Sequence, residues 1–109
     1  MYTADIHSNF ETVKEAIYNL DIAISFARKE KDKLLCLVTG YGSKGTRHKI
    51  KTEILNKLKE YLDNKKIKGY LVGSEIDIFN DNYQKFIYKD RIPEKDKIIK
   101  NPGAIYIAV

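Results

Sequence analysis

Apolar and polar residues alternate at the start of the chain: Tyr2, Ala4 and Ile6 fall on one side, Thr3, Asp5 and His7 on the other. A period of two predicts a strand over residues 2–6 with one buried face. The period then changes. Thr12-x-x-Glu15 forms a capping box, and Val13, Ala16, Ile17, Leu20, Ala23, Ile24 and Ala27 repeat at helical spacing. The amphipathic helix they predict ends in the charged stretch 28–33. Leu34-Leu35-Cys36-Leu37-Val38 is apolar throughout and short, which predicts a central strand. A glycine loop at 40–45 follows. A second helix is predicted over 47–63, with a buried stripe of Ile50, Ile54, Leu55, Leu58, Tyr61 and Leu62 and with Asn64 as its C-cap. Residues 67–72 form a third predicted strand. Residues 104–109 form a fourth, entered through the turn Asn101-Pro102-Gly103.

Residues 75–100 carry the weakest pattern. Phe79, Tyr83, Phe86 and Ile87 have helical spacing, so a short helix is expected at about 81–89. Beyond it, Pro93 and the charges of Arg91, Glu94, Lys95, Asp96 and Lys97 predict an exposed loop. The order is β-α-β-α-β-(insert)-β. It predicts an α/β domain with a mixed, mostly parallel four-stranded sheet. The polar face of the first strand points to two layers. Residues 1–109 read as a single domain, large enough to bury a core without staples.

Composition adds direction. The chain carries 20 Lys and Arg against 15 Asp and Glu, a net charge of +5 that favours an anionic partner. One cysteine excludes an internal disulfide and fits a reducing cytoplasm. Its place among leucines makes Cys36 a small buried hydrophobe. No apolar run approaches a membrane helix and no signal peptide is apparent, so no membrane partner is expected. One Cys and two His are too few soft ligands for zinc.

Chemistry concentrates in two places. Asp5 and His7 share a face of the first strand, pairing a carboxylate with a group that titrates near neutrality. Gly40-Tyr41-Gly42-Ser43-Lys44-Gly45 lies between a strand and a helix. It matches G-x-G-x-x-G in form. It follows the second strand, however, and the acid about 20 residues on, Asp63, falls at a helix end. A Walker A loop is excluded because no lysine separates Gly45 from Thr46. Two readings of the glycines remain: a tight structural turn, or a loop whose free N–H groups hold an anion. Lys44, Arg47, His48, Lys49 and Lys51 cluster beside it. They are either a solvated face or a binding surface. Placed at a helix start they oppose the macrodipole, a conflict that an anionic ligand relieves. Tyr41 offers a stacking surface for an unpaired base. If the first two strands are parallel neighbours, both features sit at one carboxyl edge of the sheet, where α/β ligands bind.

These segments, in this order, resemble the Smr (small MutS-related) domain family. Its first motif, Leu-Asp-Leu-His-Gly before a helix opening Thr-Val-x-Glu-Ala, is similar to Ala4-Asp5-Ile6-His7-Ser8 before Thr12-Val13-Lys14-Glu15-Ala16. Its second motif, His-Gly-x-Gly with an arginine five residues beyond, is similar to Thr39-Gly40-Tyr41-Gly42 with Arg47. The family's terminal glycine turn and strand look like Asn101-Pro102-Gly103-Ala104-Ile105-Tyr106-Ile107. The resemblance implies a compact two-layer domain that binds nucleic acid and, in several members, nicks DNA or cleaves RNA. It implies catalytic roles for Asp5 and His7, and backbone-holding roles for Gly40, Gly42 and Arg47. The chain departs from the pattern at Thr39, which stands for a histidine, at Ser8, and in an insertion at about 76–100.

The expected function is a nucleic-acid-binding domain with weak endonuclease activity on DNA or RNA. Asp5 and His7 would be catalytic; Gly40, Tyr41, Gly42, Ser43, Lys44, Arg47 and Lys49 would bind nucleic acid. A variant of the chemistry has Asp5 ligating Mg2+. The alternatives are a non-catalytic module, binding nucleic acid or taking a protein partner through the 76–100 insertion, and a small nucleotide-binding protein.

Overall fold

A computed structural model describes residues 1–6, 12–39, 45–77, 79–89 and 100–109, with the side chains of 45–48 and 88–89 excluded. Its strands are β1 (Tyr2–Asp5), β2 (Leu34–Val38), β3 (Gly69–Val72) and β4 (Ala104–Ala108). Helix α1 (Val13–Ala27) joins β1 to β2, and α2 (Gly45–Asp63) joins β2 to β3. A 3₁₀ turn (Gly73–Glu75), a single helical turn α3 (Asp81–Gln84) and a π-type turn (Lys85–Lys89) follow β3. The insertion thus carries helical structure over the expected residues 81–89.

The four strands form one mixed sheet in the order β1-β2-β4-β3. β1 and β2 pair in parallel, and β4 runs antiparallel to both β2 and β3. Three strands therefore point one way, and the last strand enters between two of them from the opposite end.

The helices form because their apolar stripes have somewhere to go. Thr12 caps α1, its hydroxyl accepting the Glu15 N–H at 3.1 Å. α1 buries Ala16, Leu20, Ala23, Ile24 and Ala27. Three alanines in that stripe let the helix lie close to the sheet. α2 buries Ile50, Ile54, Leu58 and Tyr61, with Leu55 and Leu62 half-buried. Both stripes meet Ile6, Leu35, Leu37, Ile105 and Ile107 in one core. α2 ends with Asn64 in the C-cap position. Lys65 takes the left-handed conformation (φ 61°), and the Lys66 N–H closes the turn on the Tyr61 carbonyl at 2.8 Å.

Helices α1 and α2 and the sheet are the two layers. The other face of β2, β4 and β3 is covered in part by Phe86 and Ile87, which pack on Leu34, Cys36, Leu71, Ala104, Tyr106 and Ala108. Both central strands are apolar on both sides for that reason. Cys36 is a buried packing residue, and burial pushes its thiol pKa up, against the opposing pull of a Tyr106 hydrogen bond. Phe79 departs from the expected stripe: it is 87% exposed. Asn80 caps the turn, its side chain accepting the Asn82 and Tyr83 N–H groups. The helical period therefore starts at Asp81, and Phe79 stands outside it.

Candidate nucleic-acid interface

The parallel ladder fixes the geometry of the edge. Asp5 lies opposite Val38, and the Ile6 N–H donates to the Val38 carbonyl at 2.9 Å. The chain therefore leaves β1 toward residue 7 and β2 toward residue 40 at the same, carboxyl edge of the sheet. His7, Gly40, Tyr41, Gly42, Ser43 and Lys44 lie outside the described residues. Arg47 is in the first turns of α2, and its side chain lies outside them too.

Thr39 closes this edge from within. It is 3% exposed. Its N–H donates to the Gly103 carbonyl at 2.8 Å, and its hydroxyl approaches the same oxygen at 3.4 Å. Thr39 is thus a buried tie between β2 and the turn before β4. That turn is itself fastened. The Gly103 N–H donates to Asn101 Oδ1 at 2.9 Å, and the Asn101 N–H donates to the Gly73 carbonyl at 3.2 Å. Gly73 must be glycine here, because a Cβ would stand 2.0 Å from the Asn101 carbonyl oxygen.

α2 brings positive charge to the same place. Ile50 is buried, which turns its neighbour Lys49 outward to solvent. Lys51 reaches from the helix to the Pro102 carbonyl, with Nζ donating at 3.2 Å. Asp5 is exposed at the end of β1, on the sheet face away from α1 and α2. One edge therefore gathers a carboxylate at the end of β1, the exits of β1 and β2, the amino-terminal turns of α2 and at least two lysines. Backbone N–H groups at a helix start favour an anion, and lysines reinforce that preference. Among the described residues no group of three or more His, Cys, Asp or Glu side chains comes together as a metal site. Among the same residues no helix is long and apolar enough to cross a membrane.

A second polar cluster lies elsewhere, where α1 meets α2, and sequence pattern gave no warning of it. Tyr61 donates its hydroxyl to Asp21, Lys66 Nζ sits 3.7 Å from the same carboxylate, and that ammonium lies 4.2 Å from the Tyr61 ring centroid. Arg28 donates to the Lys66 carbonyl at 2.7 Å. Burial, then the Asp21 contact, raises the Tyr61 pKa well above the ordinary phenol range. Tyr61 therefore keeps its proton at neutral pH and ties the two helices together. Only Tyr61 and Asp21 standing at interhelical positions of their two helices would have hinted at the pairing.

Comparison with protein-family models, with characterised proteins and with solved structures gave no match for this chain.

Proposed function

We propose that this chain is an Smr-like nucleic-acid-binding domain that grips the phosphate backbone at the carboxyl edge of β1 and β2. The observation that carries the reading is the parallel register of Asp5 with Val38. It brings the strand that bears the first motif and the strand that leads into the second to one edge. The basic start of α2 and the chain's net charge of +5 support the same reading. Loop N–H groups at 40–44 with Lys44, Arg47 and Lys49 would hold phosphate oxygens, and Tyr41 would stack on a base. A reducing cytoplasm suits the single thiol.

Cleavage is assigned a minor part. On RNA, His7 would act as general base on a 2′-hydroxyl, oriented by Asp5, while the loop and Arg47 stabilise the charge that develops on the phosphate. The family's second imidazole is missing. Its replacement, Thr39, is buried and bonded to Gly103, so it offers no proton donor to a substrate. Binding without rapid cutting is the outcome this arrangement favours.

The deciding experiment incubates the full chain and His7→Ala with labelled structured RNA and with nicked or branched DNA, in Mg2+ and in EDTA. Retention of nucleic acid by both proteins, with slow or no cutting, supports the binding reading. Cutting that is lost in His7→Ala assigns catalysis to that imidazole. No retention of any nucleic acid at low salt would remove the proposal.

A further inference from the structure

β1 is an edge strand: β2 pairs with one side of it, and among the described residues no strand lies on the other. Proteins blunt such edges by keeping the strand short, with charged side chains, especially lysine, with proline, with a bulge, or by covering them. β1 is four residues long, Tyr-Thr-Ala-Asp, with one charge at its end, Asp5, and no lysine or proline, so shortness and a terminal charge are its only protection. Beside it runs a groove lined by Tyr2, Ala4, Asn19, Ile22 and Ala23 and reaching Asp5 at its end. Along α1 above the groove, Tyr18, Ile22 and Phe26 are exposed at 66%, 38% and 49%. Phe26 leans onto Tyr2 of β1, with ring centroids 5.5 Å apart. The exposed row and the open strand edge therefore form one continuous surface.

The row also has a symmetry. Glu15, Tyr18, Ile22, Phe26 and Lys29 are spaced by three, four, four and three residues; the first four share one side of α1, and Lys29, in the turn just beyond it, extends the row with its ammonium 5.5 Å from the Phe26 ring centroid. The spacing is the same in both directions, with Ile22 at its centre. The chemistry runs acid, aromatic, aliphatic, aromatic, base. Such a row is complementary to its own copy laid antiparallel. Ile22 then meets the partner's Ile22, Tyr18 meets the partner's Phe26, and Glu15 meets the partner's Lys29.

We propose that two copies of this chain associate through this surface, about a twofold axis normal to the sheet. β1 pairs antiparallel with the partner's β1, and α1 packs on the partner's α1. The dimensions agree. α1 packs on both β1 and β2, so its axis lies over the boundary between them. In a joined sheet the two such boundaries are two strand spacings apart, about 9.6 Å for strands about 4.8 Å apart. Packed helices stand about 8–10 Å apart. The twofold keeps all four long helices on one face of an eight-stranded sheet. It also turns the two candidate phosphate-binding edges toward opposite ends of the assembly.

Analytical ultracentrifugation of the full chain, with circular dichroism as a control of folding, tests this directly. A mass of twice 12.6 kDa is expected at high concentration. Ile22→Glu places two carboxylates on the axis and should weaken association by about 100-fold or more. Glu15→Lys alone and Lys29→Glu alone should each weaken it by roughly three- to tenfold at low salt, and the double exchange should restore it. A folded chain that stays monomeric at about 1 mM, the weak end of specific association, overturns the proposal. A dimer indifferent to Ile22→Glu, or a charge exchange that fails to restore it, overturns it equally.

Discussion

Tyr61 donates its hydroxyl to the carboxylate of Asp21, joining the last turn of α2 to the middle of α1. Tyr61→Phe should cost about 1 kcal/mol in urea unfolding at pH 7, less than a fully buried charge-assisted bond because Asp21 is partly solvated. The pH dependence has a definite sign. The folded-state pKa is raised, so native Tyr61 keeps its proton where the unfolded chain, with an ordinary phenol pKa near 10, begins to lose it. The contribution is fully present below about pH 10 and declines as pH rises beyond it. Wild type should therefore lose stability above pH 10 more steeply than Tyr61→Phe.

Gly73→Ala should be among the most damaging single substitutions. The added methyl would meet backbone oxygen on two sides, Asn101 at 2.0 Å and Ala104 at 2.9 Å, and neither is the free end of a side chain. A cost of about 3 kcal/mol is expected, seen as a lower midpoint in chemical denaturation.

Two phenylalanines seven residues apart should behave oppositely. Phe86 is 1% exposed against the sheet, so Phe86→Ala should cost roughly 3–5 kcal/mol. Phe79→Ala should stay within about 0.5 kcal/mol of wild type. Equal effects would mean that the segment after β3 packs differently.

Nucleic-acid affinity should fall steeply with salt, because each phosphate neutralised releases counterions. The slope should be close to −0.9 per contact on duplex and about −0.7 on single strands. Reversing charge at Lys44, Arg47 and Lys49 together should flatten that slope by about three contacts without unfolding the domain. Electrophoretic shifts at several salt concentrations, with circular dichroism as control, measure both. An unchanged slope in the folded triple variant would show that phosphate is held elsewhere.

Periodicity located the elements whose burial is one-sided or complete. β2 spans the apolar run residue for residue, and the buried stripe of α1 follows its apolar spacing except for half-buried Val13 and Ile17. Pattern failed where burial comes from tertiary contacts. Nothing in the sequence of β4 says that it inserts between β2 and β3. Phe79 has the right spacing for a helix that begins only after it. Phe86 and Ile87, read from the same spacing, are both buried. In the candidate site, the shared edge of β1 and β2 was readable from a single crossover helix. Thr39 was readable only through the resemblance to the Smr pattern, as a threonine where that pattern has histidine. Its burial depends on Gly103, 64 residues away in the chain, and no local pattern encodes that.

The place of β4 also sets the order in which this protein can be completed. A ribosome delivers β1, α1, β2, α2 and β3 before the residues of β4 exist. Until they emerge, β2 has a ladder on one side only and β3 has none in the final sheet. The nascent chain must therefore hold apolar strand edges open while the long insertion is synthesised, a state prone to mispairing with neighbouring chains. Closure joins the most distant parts of the sequence last, so topology makes the final pairing the slow, non-local step of folding. Chaperone dependence and losses in the yield of soluble protein should respond first to changes in residues 104–108.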